Sequence, residues 1–171
     1  MSCDSDPQDA ANERELAVWR ALAQVADPEL PVLSVVDLGI VREVRWRDGP
    51  APYVRITPTY TGCPASAVIF EAVVQALDRA GFRCARVEQV LFPPWTSDWL
   101  SEAGRRKLAA FGIAPPELRG GDGAPPDAAV VRCPRCASPH TQCVSQFGST
   151  PCKAQYRCNA CLEPFEHFKC Y

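Results

Sequence analysis

The sequence predicts an α+β protein. A small α/β domain of order helix–strand–strand–helix–strand, plus one further helix, precedes a C-terminal four-cysteine ribbon. Three observations carry this reading. Apolar residues recur at helical spacing from Ala65 onward, two β-rich runs flank the turn-forming "RDGPAP", and two C-x-x-C pairs lie near the end of the chain.

A chain of 171 residues has room for one modest domain and a small module. With 22% charged and 47% apolar residues, most of it should fold around a core. The net charge of −2 excludes a polyelectrolyte, but it is unevenly divided. Residues 130–171 carry five basic against two acidic side chains, and the remainder is acidic. The N-terminal "MSCDSDPQDAANERE" lacks the basic and apolar regions of a signal peptide. No apolar run approaches the roughly 18–20 residues that cross a bilayer. These features predict a cytoplasmic protein with no membrane partner. In that compartment thiols stay reduced, so clustered cysteines point to metal rather than to disulfides.

Residues 1–12 are expected to be disordered. Asn12 then caps a helix, Glu15 completes a capping box, and Leu16, Trp19, Ala23 and Ala26 form its stripe up to Asp27-Pro28. A loop, "PELPVLSVVDLG", leads into a strand over about Ile40–Trp46. A second strand starts at Tyr53. Its parity points Val54, Ile56, Pro58 and Tyr60 to the core and Arg55, Thr57, Thr59 and Thr61 away from it. Pro58 marks it as an edge or bulged strand. Val68, Ile69, Ala72, Val73, Ala76 and Leu77 give the clearest helix, stopped at Gly81. A third strand over about Ala85–Phe92 makes an antiparallel pair extended by a right-handed βαβ crossover. One more helical stretch, weakened by Gly104, closes at Gly112. Residues 114–129, rich in Pro and Gly, read as a linker to the module at 130–171.

In that module Cys133, Cys136, Cys158 and Cys161 form two C-x-x-C knuckles. Two such turns present four thiolates to one ion, the tetrahedral set zinc takes. So little core needs a metal staple. Zinc is favoured; a rubredoxin-like iron or an iron–sulfur cluster uses the same ligands. Cys143, Cys152 and Cys170 read as small buried hydrophobes, with Cys152 the best candidate for an exposed loop. His140 and His167 read as surface residues. The module's aromatic residues among basic ones suit either a small core or nucleic-acid stacking. The low charge surplus favours the core.

Cys63 stands apart from these. Pro64 follows it at a favoured first helical position, which places Cys63 at or near an N-cap, where the helix dipole stabilises a thiolate. A lone cysteine is more often simply buried. Asp27-Pro28-Glu29 and Asp37-Leu38-Gly39, read alone, are turns.

Read together, "DPELP" (27–31), "DLGIV" (37–41) and "TPTYTGCP" (57–64) resemble the MIP18-like (DUF59) family of iron–sulfur cluster assembly factors over roughly residues 13–113. "CPRC", "FGSTPCKAQYRC", "CLEPFEHFKC" and the "GIAPP" lead-in resemble more narrowly the D (also called J) subunits of phenylacetyl-CoA epoxidase complexes. Cys143 departs from that pattern. The resemblance implies a non-catalytic accessory or maturation role in aerobic phenylacetate catabolism. The client would be the reductase, through its iron–sulfur cluster, or the di-iron oxygenase. It also implies that Cys63 transiently binds iron or a cluster, with Asp27, Glu29, Asp37, Thr59 and Thr61 around it, and that the ribbon docks on the client. The chain has no Glu-x-x-His pair for a di-iron bundle and no G-x-G-x-x-G for a dinucleotide. A thiol enzyme using Cys63 is a second reading, lacking a histidine base in the α/β domain. A nucleic-acid-binding ribbon ranks last. The oligomeric state stays open, a homodimer included.

Overall fold

The computed structural model describes residues 7–46, 50–60, 62–117 and 130–169. The chain divides into two compact units, Met1–Trp95 and Thr96–Tyr171.

The first unit opens with α1 (Pro7–Leu22), five residues ahead of the expected Asn12 cap. Proline lacks the N–H that a first helical turn leaves unpaired, so Pro7 can open the helix. The buried stripe is Val18, Leu22 and Val25 rather than the expected Leu16, Trp19, Ala23 and Ala26. Leu16 is 51% exposed, so the helix is rotated relative to the sequence expectation. Fully burying each of these large aliphatic side chains is worth about 1.5–3 kcal/mol, more than the smaller alanines offer.

Strands β1 (Val41–Trp46) and β2 (Pro52–Ile56) pair antiparallel, with a bulge between Val41 and Glu43. Helix α2 (Ser66–Arg79) follows and buries Ile69, Val73, Ala76 and Leu77. The chain then returns as β3 (Arg86–Gln89), parallel to β2. The sheet order is β1-β2-β3. β2 is therefore the central strand, not an edge: it ends at Ile56, before Pro58 would have to donate to a ladder. Its parity holds for Val54 and Ile56 and breaks at Thr57, which is 1% exposed. Val44, Val54 and Val87 stand in one row across the sheet. The next row is the charged ladder Glu43, Arg55 and Glu88, in which Arg55 lies 3.8 Å and 3.7 Å from the two carboxylates.

In the second unit a short 3-10 turn (Ser97–Trp99) leads to α3 (Glu102–Phe111). Ser101 caps it by accepting from the Gly104 N–H, and Gly112, at φ +87°, ends it. Then β4 (Ile113–Ala114), β5 (Thr141–Ser145), β6 (Lys153–Cys158) and β7 (Pro164–Phe168) form a sheet of order β4-β7-β6-β5. The unit boundary thus falls ahead of the expected linker, because Ile113 and Ala114 pair in parallel with Glu166 and His167 of β7. Residues 118–129 of that linker lie outside the described residues. Among the described residues no helix is long and apolar enough to cross a membrane.

Candidate functional site

Two places gather chemistry, one in each unit. The first is the end of the three-stranded sheet where β1 begins and β2 and β3 end. Val41 lies opposite Ile56, Thr57 N–H donates to Ile40 O at 2.9 Å, and Val90 N–H donates to Ile56 O at 2.8 Å. The 25–35 loop is closed on itself, Val35 N–H donating to Val25 O and Asp27 N–H to Leu33 O, both at 2.9 Å, and it is held beside the start of β1 because Ile40 N–H donates to Val35 O at 3.0 Å. The topology therefore brings the "DPELP", "DLGIV" and "TPTYTGCP" stretches to one end of the sheet.

Asp27 and Asp37 are both buried, and each carboxylate shapes its own loop. Asp27 Oδ1 accepts from the Glu29 and Leu30 N–H groups, each at 2.8 Å. Asp37 Oδ2 accepts from the N–H and hydroxyl of Ser34 at 2.9 and 2.8 Å, while Ser34 Oγ accepts from the Asp37 N–H at 3.0 Å. Gly39 sits at φ +67°, the left-handed conformation expected after an Asx-type turn. Glu29 and Thr59 are half-buried, and Thr61 lies outside the described residues.

Cys63 is half-buried. Its N–H donates to Tyr60 O at 3.3 Å and its carbonyl accepts from Ser66 N–H at 3.1 Å. The N-cap of α2 is Ala65, which makes no side-chain capping bond, so Cys63 stands two residues ahead of the cap in a lead-in turn. The strand parity that would place it beside the threonines ends at Ile56. Sequence reading passed over two residues here. Thr57 Oγ1 is buried with no hydrogen-bond partner among the described residues, an arrangement that costs about 1–3 kcal/mol. Trp95, itself buried, donates its Nε1–H to Leu38 O at 2.8 Å, next to Asp37. The "PPW" before the second unit was the only signal for the latter.

The second place is the ribbon. Cys133, Cys136, Cys158 and Cys161 bring their Sγ atoms within 4.8 Å of one another, the one such group of ligand atoms among the described residues. Cys133 and Cys161 lie 3.7 Å apart, Cys136 and Cys158 3.6 Å. A tetrahedral ion with bonds of about 2.3 Å to sulfur has S–S edges of about 3.8 Å, so the cage fits zinc. Each knuckle is followed by a left-handed residue, Ala137 at φ +60° and Leu162 at φ +65°. The two turns are thus built alike.

The thiols are electrostatically unequal. Hydrogen bonds from the backbone N–H groups of Cys161 and Ala160, with those from neighbouring thiols, outweigh burial and bring Cys158 down to about 6. For Cys161 a backbone hydrogen bond from Glu163 pulls downward, but burial and the other three thiols together push it up to about 12. In Cys136 lowering bonds from the Ser138 backbone and the Cys161 thiol are outweighed by burial and the Cys158 and Cys133 thiols. Cys158 is the natural first thiolate, and an ion supplies the charge that ionises the rest.

Around the cage the structure corrects several expectations. Cys152 is buried at 5% exposure, as the reading of a small buried hydrophobe expects, and does not take the exposed loop for which it was the best candidate; its carbonyl accepts from Lys169 N–H at 3.0 Å. His167 is buried rather than on the surface, its Nδ1 3.2 Å from Ala114 O, and burial holds it below the usual imidazole range despite that bond. His140 is exposed, as expected. Phe165 and Phe168 are core, Tyr156 packs against that core, and Phe147 is 68% exposed. Cys143 is half-buried, and Cys170 lies outside the described residues.

Known proteins resemble this chain along most of its length. Residues 15–88 match the family described as "Iron-sulfur cluster assembly protein", and residues 121–169 match the "PaaD zinc beta ribbon domain". A relative from Escherichia coli (strain K12), provisionally named as the D subunit of 1,2-phenylacetyl-CoA epoxidase, is 46% identical over 154 residues, 90% of this chain and 91% of its own. The "Fe-S protein maturation auxiliary factor YitW" of Bacillus subtilis (strain 168) is 39% identical over 92 residues, 53% of this chain and 89% of its own. A crystal structure of a "Domain of Unknown Function DUF59" from Bacillus anthracis shares 27% identity at a TM-score of 0.52, covering 57% of this chain and 92% of that one.

Proposed function

Because the chain belongs to the family of D subunits of 1,2-phenylacetyl-CoA epoxidase, an iron–sulfur assembly domain joined to a PaaD-type zinc ribbon, we propose that it is a non-catalytic assembly or repair factor of that epoxidase system. Its client is the reductase component, into which it helps insert an iron–sulfur cluster. The observation that carries this reading is the pairing of two likenesses in one chain. The first half resembles a maturation auxiliary factor, while nearly the full length resembles an epoxidase component.

In this reading Cys63 is a transient ligand for iron or a cluster, delivered as cargo. Asp27, Glu29, Asp37 and Thr59 form its surroundings. Convergence of their three loops on one end of the sheet supports the assignment. The four ribbon thiolates hold a structural zinc, which the sulfur spacing fits. That ion folds the module and takes no part in the transfer.

Deleting the gene in a host that expresses the epoxidase tests the role. The reductase should still be made but carry little cluster, and unchanged cluster occupancy would end the proposal. Metal analysis of anaerobically purified protein, wild type beside Cys63→Ser, tests the residue. Iron and acid-labile sulfide should be present in the first and absent from the second, with zinc in both.

A further inference from the structure

Residues 130–171 carry five basic side chains against two acidic ones. Both of their carboxylates are already engaged, Glu166 with Lys153 at 2.9 Å and Glu163 with Arg135 at 4.0 Å. Arg132 and Arg157 face no carboxylate among the described residues, and Arg157 is exposed on β6 opposite Gln142 of β5. β5 is the last strand of its sheet and pairs with no further strand among the described residues. It bears no charged side chain of its own (Thr-Gln-Cys-Val-Ser), although charge is the common guard on an open edge. Instead the register shifts between Cys143 and Ser145, and Val144 at that bulge is 64% exposed. Three residues on, Phe147 is 68% exposed, with Lys169 Nζ 4.7 Å from its ring centroid and 3.2 Å from Gln146 O. The open backbone edge of β5 with its exposed Val144 is thus followed, two residues past the strand's end, by Phe147, and is accompanied by Arg157 of β6 and by Lys169, whose Nζ stands at Phe147.

We infer that the outer edge of β5 is the docking strand for an extended, acidic segment of a partner protein, with Val144 and Phe147 as its apolar anchors. The added strand would use the backbone groups that β5 turns away from β6, as edge augmentation does. Carboxylates on that segment would meet Arg157 and Lys169. A protein partner suits the site better than single-stranded nucleic acid. Phe147 is the one exposed aromatic ring of the strand and its continuation, one of its faces is covered by an ammonium, and the surplus charge is small. The inference rests on the accessory role proposed above and names the surface through which that role is exercised.

Purified full-length protein mixed with the reductase component, and separately with the oxygenase component, of a phenylacetyl-CoA epoxidase gives the test, read by hydrogen exchange and by titration. One complex should form in which amides of residues 141–147 are protected. Val144→Asp and Phe147→Asp should each weaken it by about tenfold or more with zinc content unchanged, and Arg157→Glu should weaken it and flatten its salt dependence. A complex that leaves 141–147 unprotected, or that binds both variants like wild type, overturns the docking strand while leaving the accessory role standing. No complex with either component overturns both. Protection of the same amides by an oligo(dT) strand, or by self-association of the chain, would also overturn the acidic-segment assignment.

Discussion

Gly148→Ala is the perturbation most sharply defined by the ribbon. A Cβ at this position would stand 2.6 Å from Glu166 Oε1 and 3.2 Å from Lys153 Cβ, so something must give. The carboxylate is a flexible tip, yet it is pinned from two sides: Lys153 Nζ is 2.9 Å away and Ser149 N–H donates to Oε1 at 2.6 Å. Lys153 is only 4% exposed, so displacing Glu166 strands a buried ammonium. Removing one partner of a fully buried pair costs about 3–5 kcal/mol. Glu166 keeps 22% of its side chain in solvent, which softens the loss, so about 1–3 kcal/mol is expected. The two-unit chain has no single unfolding free energy, and native-state hydrogen exchange of the β6 and β7 amides reads the ribbon locally. The decisive comparison is a double-mutant cycle. In a Glu166→Ala background the methyl group meets no carboxylate and only the 3.2 Å contact with Lys153 Cβ remains, so Gly148→Ala should cost clearly less than in the wild type. An equal cost in both backgrounds would refute the reasoning.

The same pair sets a pH dependence. The Ser149 and Lys153 contacts outweigh burial and hold Glu166 below the usual carboxylate range, so its stabilisation is present above the unfolded value of about 4.3 and lost as pH falls through the folded one. Exchange protection of β7 should therefore fall on acidification below about pH 4.3 and be flatter in Glu166→Gln, once zinc loss is controlled for. Zinc added to metal-free protein at neutral pH should release at least about two protons, from Cys136 and Cys161, and its affinity should rise with pH. An indicator dye that shows no release would refute the thiol assignment. Leu77→Ala, at a fully buried position of α2, should cost the first unit about 2–5 kcal/mol while one zinc per chain is retained, as judged by circular dichroism and metal analysis. Cys63→Ser, at a half-buried loop position, should change the stability of the first unit by no more than about 0.5 kcal/mol, whereas Asp37→Ala should cost it about 1–3 kcal/mol by leaving Ser34 groups unpaired; native-state hydrogen exchange of the β1 and β2 amides separates the two.

Spacing was the legible part of the sequence. The two C-x-x-C knuckles declare the cage because four ligands of one chemistry at short intervals have few other uses, and α2 declares itself by its apolar stripe, of which Ile69, Val73, Ala76 and Leu77 are buried and Val68 is exposed. What escaped depends on partners far away in sequence. α1 has alanines at many phases, and only the core opposite decides that Val18, Leu22 and Val25 turn inward. Thr57 breaks parity because β2 stops at Ile56, and where a strand stops depends on what it pairs with. His167 is buried by Ala114 of β4, a strand of two residues that carries no periodicity to read. For Cys152 the reading of a small buried hydrophobe holds although its neighbours are polar, because those neighbours bond back to β7 and its end: Ser149 N–H donates to Glu166 and Lys169 N–H reaches the Cys152 carbonyl.

The loop cluster divides the acidic residues from the thiol in a way that sharpens the role of Cys63. Asp27 and Asp37 bond to backbone and serine groups of their own loops, and among the described residues they do not form with Cys63 a group of ligand atoms within 4.8 Å. A resident metal held within one chain would need such a group, as the ribbon has. A cargo does not, since a transiently held iron or cluster can draw its remaining ligands from the protein that receives it. On this argument Cys63, a half-buried thiol, suits a load held loosely enough to be handed over, yet kept in part through anaerobic purification. Cys63→Ser should then abolish cluster transfer to the reductase without altering the affinity of the two proteins for each other. A matching loss of affinity would show instead that the 57–63 loop is part of the grip.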